Sequence, residues 1–266
     1  MNQQELLAYL QKEAETAQAK VSVLWKDMDA DQELYAFAPD REMVSASTIK
    51  VLILLAALER VRQGRETLDG LVEVPASLIL EDTTVYEYGS TTDTLDHLLR
   101  WMIILSDNTA TNVLIHRLGM EEINAYGRSI GLRLSRVERV MLDFAAIEQG
   151  RNNYTSAREQ CRMYELLLRH AILTPALCDY AMEVLLSQRS TSDFLRYIPY
   201  PLKLAHKTGG LDFLNHDAGL FFLENACYYL GVFVQEAPDD LYCKRLIGRI
   251  SKAVYAFYKE GGPDHA

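Results

Sequence analysis

The spacing of apolar positions predicts strands near both ends of the chain. Residues 21–26 and 33–37, joined by a turn-rich segment, have the pattern of a hairpin. Residues 202–208 are a further candidate strand, and 218–223 with 226–234 predict a second hairpin of largely buried strands. Strands therefore open and close the chain.

Between these strands the apolar positions recur with the period of amphipathic helices. The predicted helices begin at capping residues and end near glycines or polar turns. They cover residues 47–62, 95–105, 109–118, 121–130 and 156–170, with one more starting at Thr174-Pro175, and terminal helices lie within 1–20 and from Asp239 or Asp240 to about 259.

This order predicts an α/β (α+β) fold with two domains. Residues 1–50 and 190–266 are expected to form an antiparallel sheet flanked by the N- and C-terminal helices. Residues 51–189 are expected to form an inserted all-helical domain, with the active site between the two domains.

Composition and charge limit the classes of function. The 266 residues are 49% hydrophobic, enough for a large core. A net charge of -10 disfavours nucleic acid and anionic membranes as partners. The longest apolar run, 51–58, is shorter than the roughly 18–20 residues of a membrane-spanning helix, so no membrane span is expected. Residues 1–20 lack the pattern of a signal peptide, which predicts a cytoplasmic protein or, alternatively, an exported one that has lost its leader.

The cysteines give no sign of a metal site. Cys161, Cys178, Cys227 and Cys243 are scattered and form no C-x-x-C pair. We therefore expect them to be small buried hydrophobic residues, and we expect neither a metal nor another cofactor.

Candidate chemistry begins with Ser47 and Lys50 at the start of a buried helix. A serine followed three residues later by a lysine places a hydroxyl and an amine on one helical face, as a nucleophile and its base require. The helix N-terminus favours the negative charge that develops during attack. The alternative is that Ser45 or Ser47 only caps the helix and Lys50 extends to solvent.

Two further motifs favour the catalytic interpretation. Ser106-Asp107-Asn108 and Lys207-Thr208-Gly209 each occur once, and each lies at the boundary of a predicted element. Their ordered coincidence with Ser47-x-x-Lys50 is much rarer than any one motif alone.

With these three motifs the chain resembles the class A β-lactamase and penicillin-binding serine hydrolase superfamily over nearly its whole length. The resemblance implies the β-lactamase-like two-domain fold. It also implies that Ser47 is the nucleophile, Lys50 its base and Ser106 the proton shuttle to the leaving nitrogen.

The resemblance further implies how a substrate is held. Asn108 would bond to substrate or lysine, while Lys207 and Thr208 would bind a substrate carboxylate. Gly209 would let the strand pass close to the substrate. The backbone N–H of Gly210 would form the oxyanion hole with that of Ser47.

One departure from the family pattern concerns deacylation. Class A β-lactamases are expected to carry a glutamate, followed by an asparagine, in the loop before the helix near Ser156, and the nearest alignment puts Met141 at the acid's position. Glu138, Asp143 and Glu148 are substitutes in principle, although a surface or loop-bracing role is expected for each.

Two histidines, His206 and His216, flank the third motif. Because Lys50 already supplies a base, we expect both to be rim or structural residues, with His216 helping to shape the carboxylate end of the site.

We therefore expect a metal-free serine hydrolase that forms an acyl-enzyme on a small carboxylate-bearing amide or ester, with β-lactam hydrolysis as the leading activity. The alternatives are a penicillin-binding, peptidase-like or esterase-like hydrolase with slow deacylation, a β-lactam sensor that is acylated without turnover, and an idle scaffold.

Overall fold

The structure is a computed structural model that describes residues 1–199 and 201–263. Its strands are β1 Lys20–Asp27, β2 Gln32–Phe37, β3 Met43–Val44, β4 Leu71–Val74, β5 Thr91–Thr94, β6 Tyr154–Thr155, β7 Lys203–Leu211, β8 Leu214–Leu223 and β9 Ala226–Gln235. Its helices are α1 Gln3–Glu15, α2 Lys50–Arg62, α3 Leu95–Ile104, α4 Asn108–Leu118, α5 Met120–Ser129, α6 Phe144–Glu148, α7 Ala157–Leu168, α8 Pro175–Leu186 and α9 Asp240–Lys259.

Contacts between residues divide the chain into two compact units. The first contains residues 1–48 and 155–165 and the described part of 190–266, and the second contains residues 49–154 and 166–189. The contacts thus group residues 155–165 with the sheet, whereas the sequence-based prediction placed them in the helical domain, 51–189.

The first unit is built on a five-stranded sheet in the order β2-β1-β9-β8-β7. Its neighbouring strands are antiparallel, and the β7–β8 register runs from Lys203 opposite Phe222 to Leu211 opposite Leu214. Because the sheet is antiparallel and helices accompany it, the predicted mixed fold class is confirmed.

Helices α1 and α9 of this unit bury apolar side chains against the sheet. The ring of Trp25 on β1 meets that of Phe257 on α9 edge-on at 5.7 Å between centroids. Tyr228 on β9 stacks on Tyr258 at 4.4 Å. Such aromatic pairs add to the burial free energy and fix the helix against the strands.

The second unit is organised around α2. Its first nine residues, 50–58, are all buried, and the helix packs against α3, α4, α5 and α8. A helix that is apolar on every side is stable only inside a protein, which explains why this run lies at the centre of the unit.

The structure differs from the sequence-based elements in several places, and two of the differences have a clear local cause. Strand β8 begins at Leu214 instead of residue 218, because its pairing with β7 continues to the turn. Helix α6 lies between the predicted helices 121–130 and 156–170, where no helix was predicted. The Asp143 side chain caps it by accepting a hydrogen bond from the Ala146 N–H.

Within the described ranges, no helix combines the length and the apolar character that crossing a membrane would need.

Candidate active site

The predicted nucleophile, Ser47, lies in a 3₁₀ turn, Ala46–Ile49, that continues directly into α2. The buried hydroxyl of Thr48 donates to the Ser45 carbonyl at 2.6 Å and thereby closes the turn. Ala46 has a φ of 43°, in the left-handed region that costs a non-glycine residue about 1–3 kcal/mol. The backbone on both sides of Ser47 is therefore tightly constrained.

Strand β7 passes very close to this turn at Gly209. A Cβ atom placed on Gly209 would lie 3.0 Å from the carbonyl oxygen of Ser45 and 3.0 Å from the backbone nitrogen of Ser47. At Gly210 a Cβ atom would meet only the Asn215 Oδ1 atom, at 3.3 Å. The close approach of two backbone segments thus favours glycine at position 209.

Lys207 is fully buried in the same strand. Its Nζ donates to the Thr208 carbonyl at 2.9 Å. Burial lowers the pKa of the amine to about 7, and the carboxylates of Asp217 and Asp193 oppose this shift by favouring the charged form. The predicted carboxylate-binding lysine therefore changes charge near neutral pH.

The acids near Lys207 are themselves buried. Asp217 contacts the His206 Nδ1 atom at 2.8 Å and accepts a hydrogen bond from the Phe194 N–H at 3.2 Å. Burial, reinforced by Asp217, raises the pKa of Asp193 to about 6. Asp193 was not among the predicted site residues, because nothing in its neighbourhood along the chain indicates that it would be buried.

His216 lies inside the sheet. Its Nε2 atom is 2.7 Å from the Val44 carbonyl, and its Nδ1 atom is 2.7 Å from the Asn215 carbonyl and 3.1 Å from the Val234 nitrogen. Burial lowers its pKa to about 4, and the hydrogen bonds to the Val44 and Asn215 carbonyls oppose this shift. Neither histidine lies at the rim: both are buried, hydrogen-bonded side chains.

In the second unit, the side chain of Lys50 reaches two other predicted site residues. Its fully buried amine lies 2.7 Å from the Ser106 carbonyl, 3.1 Å from the Ser106 Oγ atom and 2.8 Å from the Asn108 Oδ1 atom. The carbonyl and amide oxygens only accept hydrogen bonds, whereas a hydroxyl can donate or accept. Both the neutral amine and the ammonium ion therefore fit these contacts, and Ser106 Oγ is the partner whose role changes between them.

The intervening residue of this motif has a different task. Asp107 is the N-cap of α4, and its Oδ1 atom accepts from the Ala110 N–H at 2.7 Å. Ser106, with a φ of 57°, precedes the cap, and Asn108 starts the helix. A sharp turn that is fixed by the cap thus presents Ser106 and Asn108 to the same amine.

Asn108 also contacts a residue that the sequence analysis did not select. Its Nδ2 atom donates to the Asp82 Oδ2 atom at 2.6 Å. Asp82 is exposed and lies in the segment 81–94, which the sequence indicates only as a polar loop without periodicity. The sequence around an acid in such a loop does not indicate which residue the acid will contact in the folded protein.

The structure gives each of the three acids considered as a substitute deacylating base a different environment. Glu138 pairs with Arg136 at 2.7 Å. Asp143 is occupied as the cap of α6, and Glu148 is exposed. Met141 is buried, and its backbone bonds to the side chain of Asn112.

The structure thus groups the predicted site residues in two sets, each within one unit. Lys50, Ser106 and Asn108 share contacts in the second unit. Ser47 and Gly209 approach each other in the first, where β7 also carries Lys207, Thr208 and Gly210.

Comparison with known proteins gives one consistent family. A β-lactamase of Bacteroides uniformis is 25% identical over 229 residues, which are 79% of this chain and 77% of that protein. A class A β-lactamase structure from Bacteroides cellulosilyticus superimposes with a TM-score of 0.87 at 22% identity, over 97% of this chain and 98% of that one. A variant of PBP-A, solved as an acyl-enzyme complex with penicillin G, gives a TM-score of 0.86 at 25% identity, over 97% and 96%.

These structures have the fold predicted from the sequence, with helices and an antiparallel sheet. The characteristic sequence pattern of the β-lactamase enzyme family matches residues 4–258, nearly the whole chain. The chain therefore belongs to the β-lactamase enzyme family.

Proposed function

We propose that this protein is a serine hydrolase of the class A type that forms an acyl-enzyme at Ser47 and acts on β-lactams. One observation carries the proposal: the buried amine of Lys50 contacts Ser106 and Asn108, and Lys50 follows Ser47 by three residues in a continuous helical run. Nucleophilic catalysis by serine needs such a base, held in place by further groups.

In the acylation step, each proton that leaves one group is taken up by another. Ser47 Oγ attacks the lactam carbonyl carbon as its proton passes to the neutral amine of Lys50. When the C–N bond breaks, the nitrogen takes the Ser106 hydroxyl proton, and Ser106 regains one from Lys50. The lysine is neutral again at the end of the step, and the backbone N–H groups of Ser47 and Gly210 stabilise the oxyanion.

Lys207 and Thr208 bind the carboxylate of the substrate in this proposal. A protonated lysine in a buried site forms a strong charge-assisted hydrogen bond, since little water competes for it. With its pKa lowered to about 7, Lys207 carries this charge at neutral pH in part of the molecules.

A second candidate, a penicillin-binding hydrolase with slow deacylation, is favoured by Met141. The methionine thioether is at most a weak acceptor and cannot deprotonate water. Two nearby acids, Glu138 and Asp143, are engaged in an ion pair and a helix cap. A variant of PBP-A is one relative whose structure was solved as an acyl-enzyme complex with penicillin G.

Intact-mass spectrometry after mixing with penicillin G tests the proposal. The wild type should gain the mass of one penicillin, and Ser47→Ala should gain none. Ser45→Ala is the matched control, since it removes a neighbouring hydroxyl and should leave the adduct. An adduct that persists favours the penicillin-binding hydrolase with slow deacylation, and an adduct that forms and disappears favours the β-lactamase. If no adduct forms at any time, both candidates are wrong.

A further inference from the structure

The exposed carboxylate of Asp82 is bonded to the amide of Asn108, which in turn bonds to the amine of Lys50. A carboxylate only accepts hydrogen bonds, so Asp82 fixes the orientation of that amide: the Nδ2 group faces Asp82 and the Oδ1 atom faces Lys50. A full negative charge therefore lies one side chain away from the predicted base.

The loop around Asp82 is tied to the start of α4 on both sides. The Leu80 N–H donates to the Thr109 hydroxyl at 2.9 Å. The Thr83 hydroxyl donates to the buried Asp107 Oδ2 atom at 2.6 Å. Because these bonds flank Asp82, its carboxylate is held beside Asn108 and does not depend on a freely moving loop.

The charge of this loop has a single sign. Residues 81–94 include Glu81, Asp82, Glu87 and Asp93 and contain no lysine or arginine. Glu81, Asp82 and Glu87 are exposed. A set of like charges beside a site raises the local concentration of cations and disfavours anions.

We propose that Asp82 makes the site select substrates whose acyl side chain carries a protonated amine next to the amide. This inference rests on the proposed function. The amide oxygen of the substrate would accept from the remaining Nδ2 hydrogen of Asn108, and the neighbouring ammonium would donate to Asp82. Asp82 is thereby a specificity-determining residue of the acylation reaction.

Ampicillin and penicillin G test this selectivity, because they differ only in the amine on the α carbon of the side chain. The second-order rate constant of acylation is measured for each at about pH 6, where an α-amine is charged. The acylation rate constant for ampicillin divided by that for penicillin G should fall about two- to five-fold in Asp82→Asn. This is the size of effect expected for a solvent-exposed ion pair. The asparagine removes the charge and still offers one acceptor to Asn108, and the ratio of two substrates cancels any change in the Asn108 amide that affects both substrates alike.

Glu81→Gln is the matched control, since it neutralises the adjacent exposed acid and should leave most of the ratio unchanged. Higher salt should lower the wild-type ratio toward that of Asp82→Asn. If the two ratios are equal in the wild type and Asp82→Asn while adducts form normally, the inference about Asp82 is wrong and the proposed function still stands. Absence of adducts from both penicillins would contradict the proposed function, and the inference with it.

Discussion

Asn112 holds Met141 by both of its backbone groups. The Asn112 Oδ1 atom accepts from the Met141 N–H at 2.7 Å, and the Nδ2 group donates to the Met141 carbonyl at 3.1 Å. Both residues are buried. Since the bonds involve only the backbone of residue 141, the position of its side chain is set independently of which side chain it is.

This arrangement predicts burst kinetics with nitrocefin. Acylation has its proposed groups, whereas deacylation lacks the base that the family resemblance places at position 141, and loss of a general base typically costs about 10² to 10⁴ in rate. A stopped-flow trace should show a rapid stoichiometric phase and then slow turnover. Steady turnover on the order of 10² per second without a burst would show that deacylation has an efficient base elsewhere.

Met141→Glu should accelerate the slow phase, by about 10² if the new carboxylate can activate a water. Met141→Gln is the matched control, because it has a similar shape and no basic oxygen. The two variants are compared by the decay of the acyl adduct in intact-mass spectra. Identical decay rates would mean that position 141 does not face the ester.

Lys207 should give the acylation rate an alkaline limit. Its pKa is lowered to about 7, so the amine loses its charge, and with it the bond to a substrate carboxylate, as the pH rises through about 7. In Lys207→Arg the guanidinium stays charged, and the decline of the second-order acylation rate constant above pH 7 should disappear. Lys203→Arg, an exposed lysine on the same strand, should keep the wild-type profile.

Lys50→Arg should behave differently from Lys207→Arg. An arginine cannot become a neutral base in a protein, so acylation should slow by about 10² or more, while Lys207→Arg should mainly weaken substrate binding. Separate measurement of the binding constant and the acylation rate constant at saturation distinguishes the two effects. Equal losses of the rate constant at saturation would refute the assigned roles.

Gly209→Ala should slow acylation, because the added methyl would lie 3.0 Å from both the Ser45 oxygen and the Ser47 nitrogen. Relief of that contact shifts the strand or the Ser47 turn by a few tenths of an ångström, and since a misplacement of about 1 Å can cost about 10², a loss of up to about ten-fold is expected. Gly210→Ala meets one side-chain atom at 3.3 Å and should cost far less. Similar acylation rates in the two variants would contradict this explanation.

Asp193 should make stability depend on pH. Its pKa in the folded state, about 6, lies above the usual value of 3.8 for an aspartate, so the folded state holds a proton that the unfolded state has lost, and stability falls as the pH rises through this interval. Asp193→Asn should therefore raise the free energy of unfolding at pH 8 by about 1–3 kcal/mol. The gain should vanish near pH 4. Urea titrations at both pH values check this, with the exposed Asp212→Asn as control.

Local sequence was sufficient for most elements. The predicted strands 21–26 and 33–37 became β1 and β2, and Thr174-Pro175 starts α8 as predicted. These features depend on neighbours within a few residues, through side-chain periodicity and capping. The motifs were visible for the same reason: Ser47 and Lys50 are three residues apart, and Ser106 and Asn108 are two.

What the sequence could not supply were partnerships between residues far apart in the chain. Asp82 lies beside Asn108, and Asp193 interacts with Asp217 and Lys207, because the fold brings separate segments together. The pKa values near 6 and 7 arise from loss of solvent, which depends on packing from several elements and not on any one of them.

The β-lactamase family was therefore determined by the sequence, since its motifs are short and ordered along the chain. Tertiary structure alone decided which groups surround those motifs. The fold places the carboxylate of Asp82 next to Asn108, and it places the backbone of Met141 in hydrogen-bonding contact with Asn112. Hydrogen bonds and burial act through space, so these neighbours were fixed only when the chain folded.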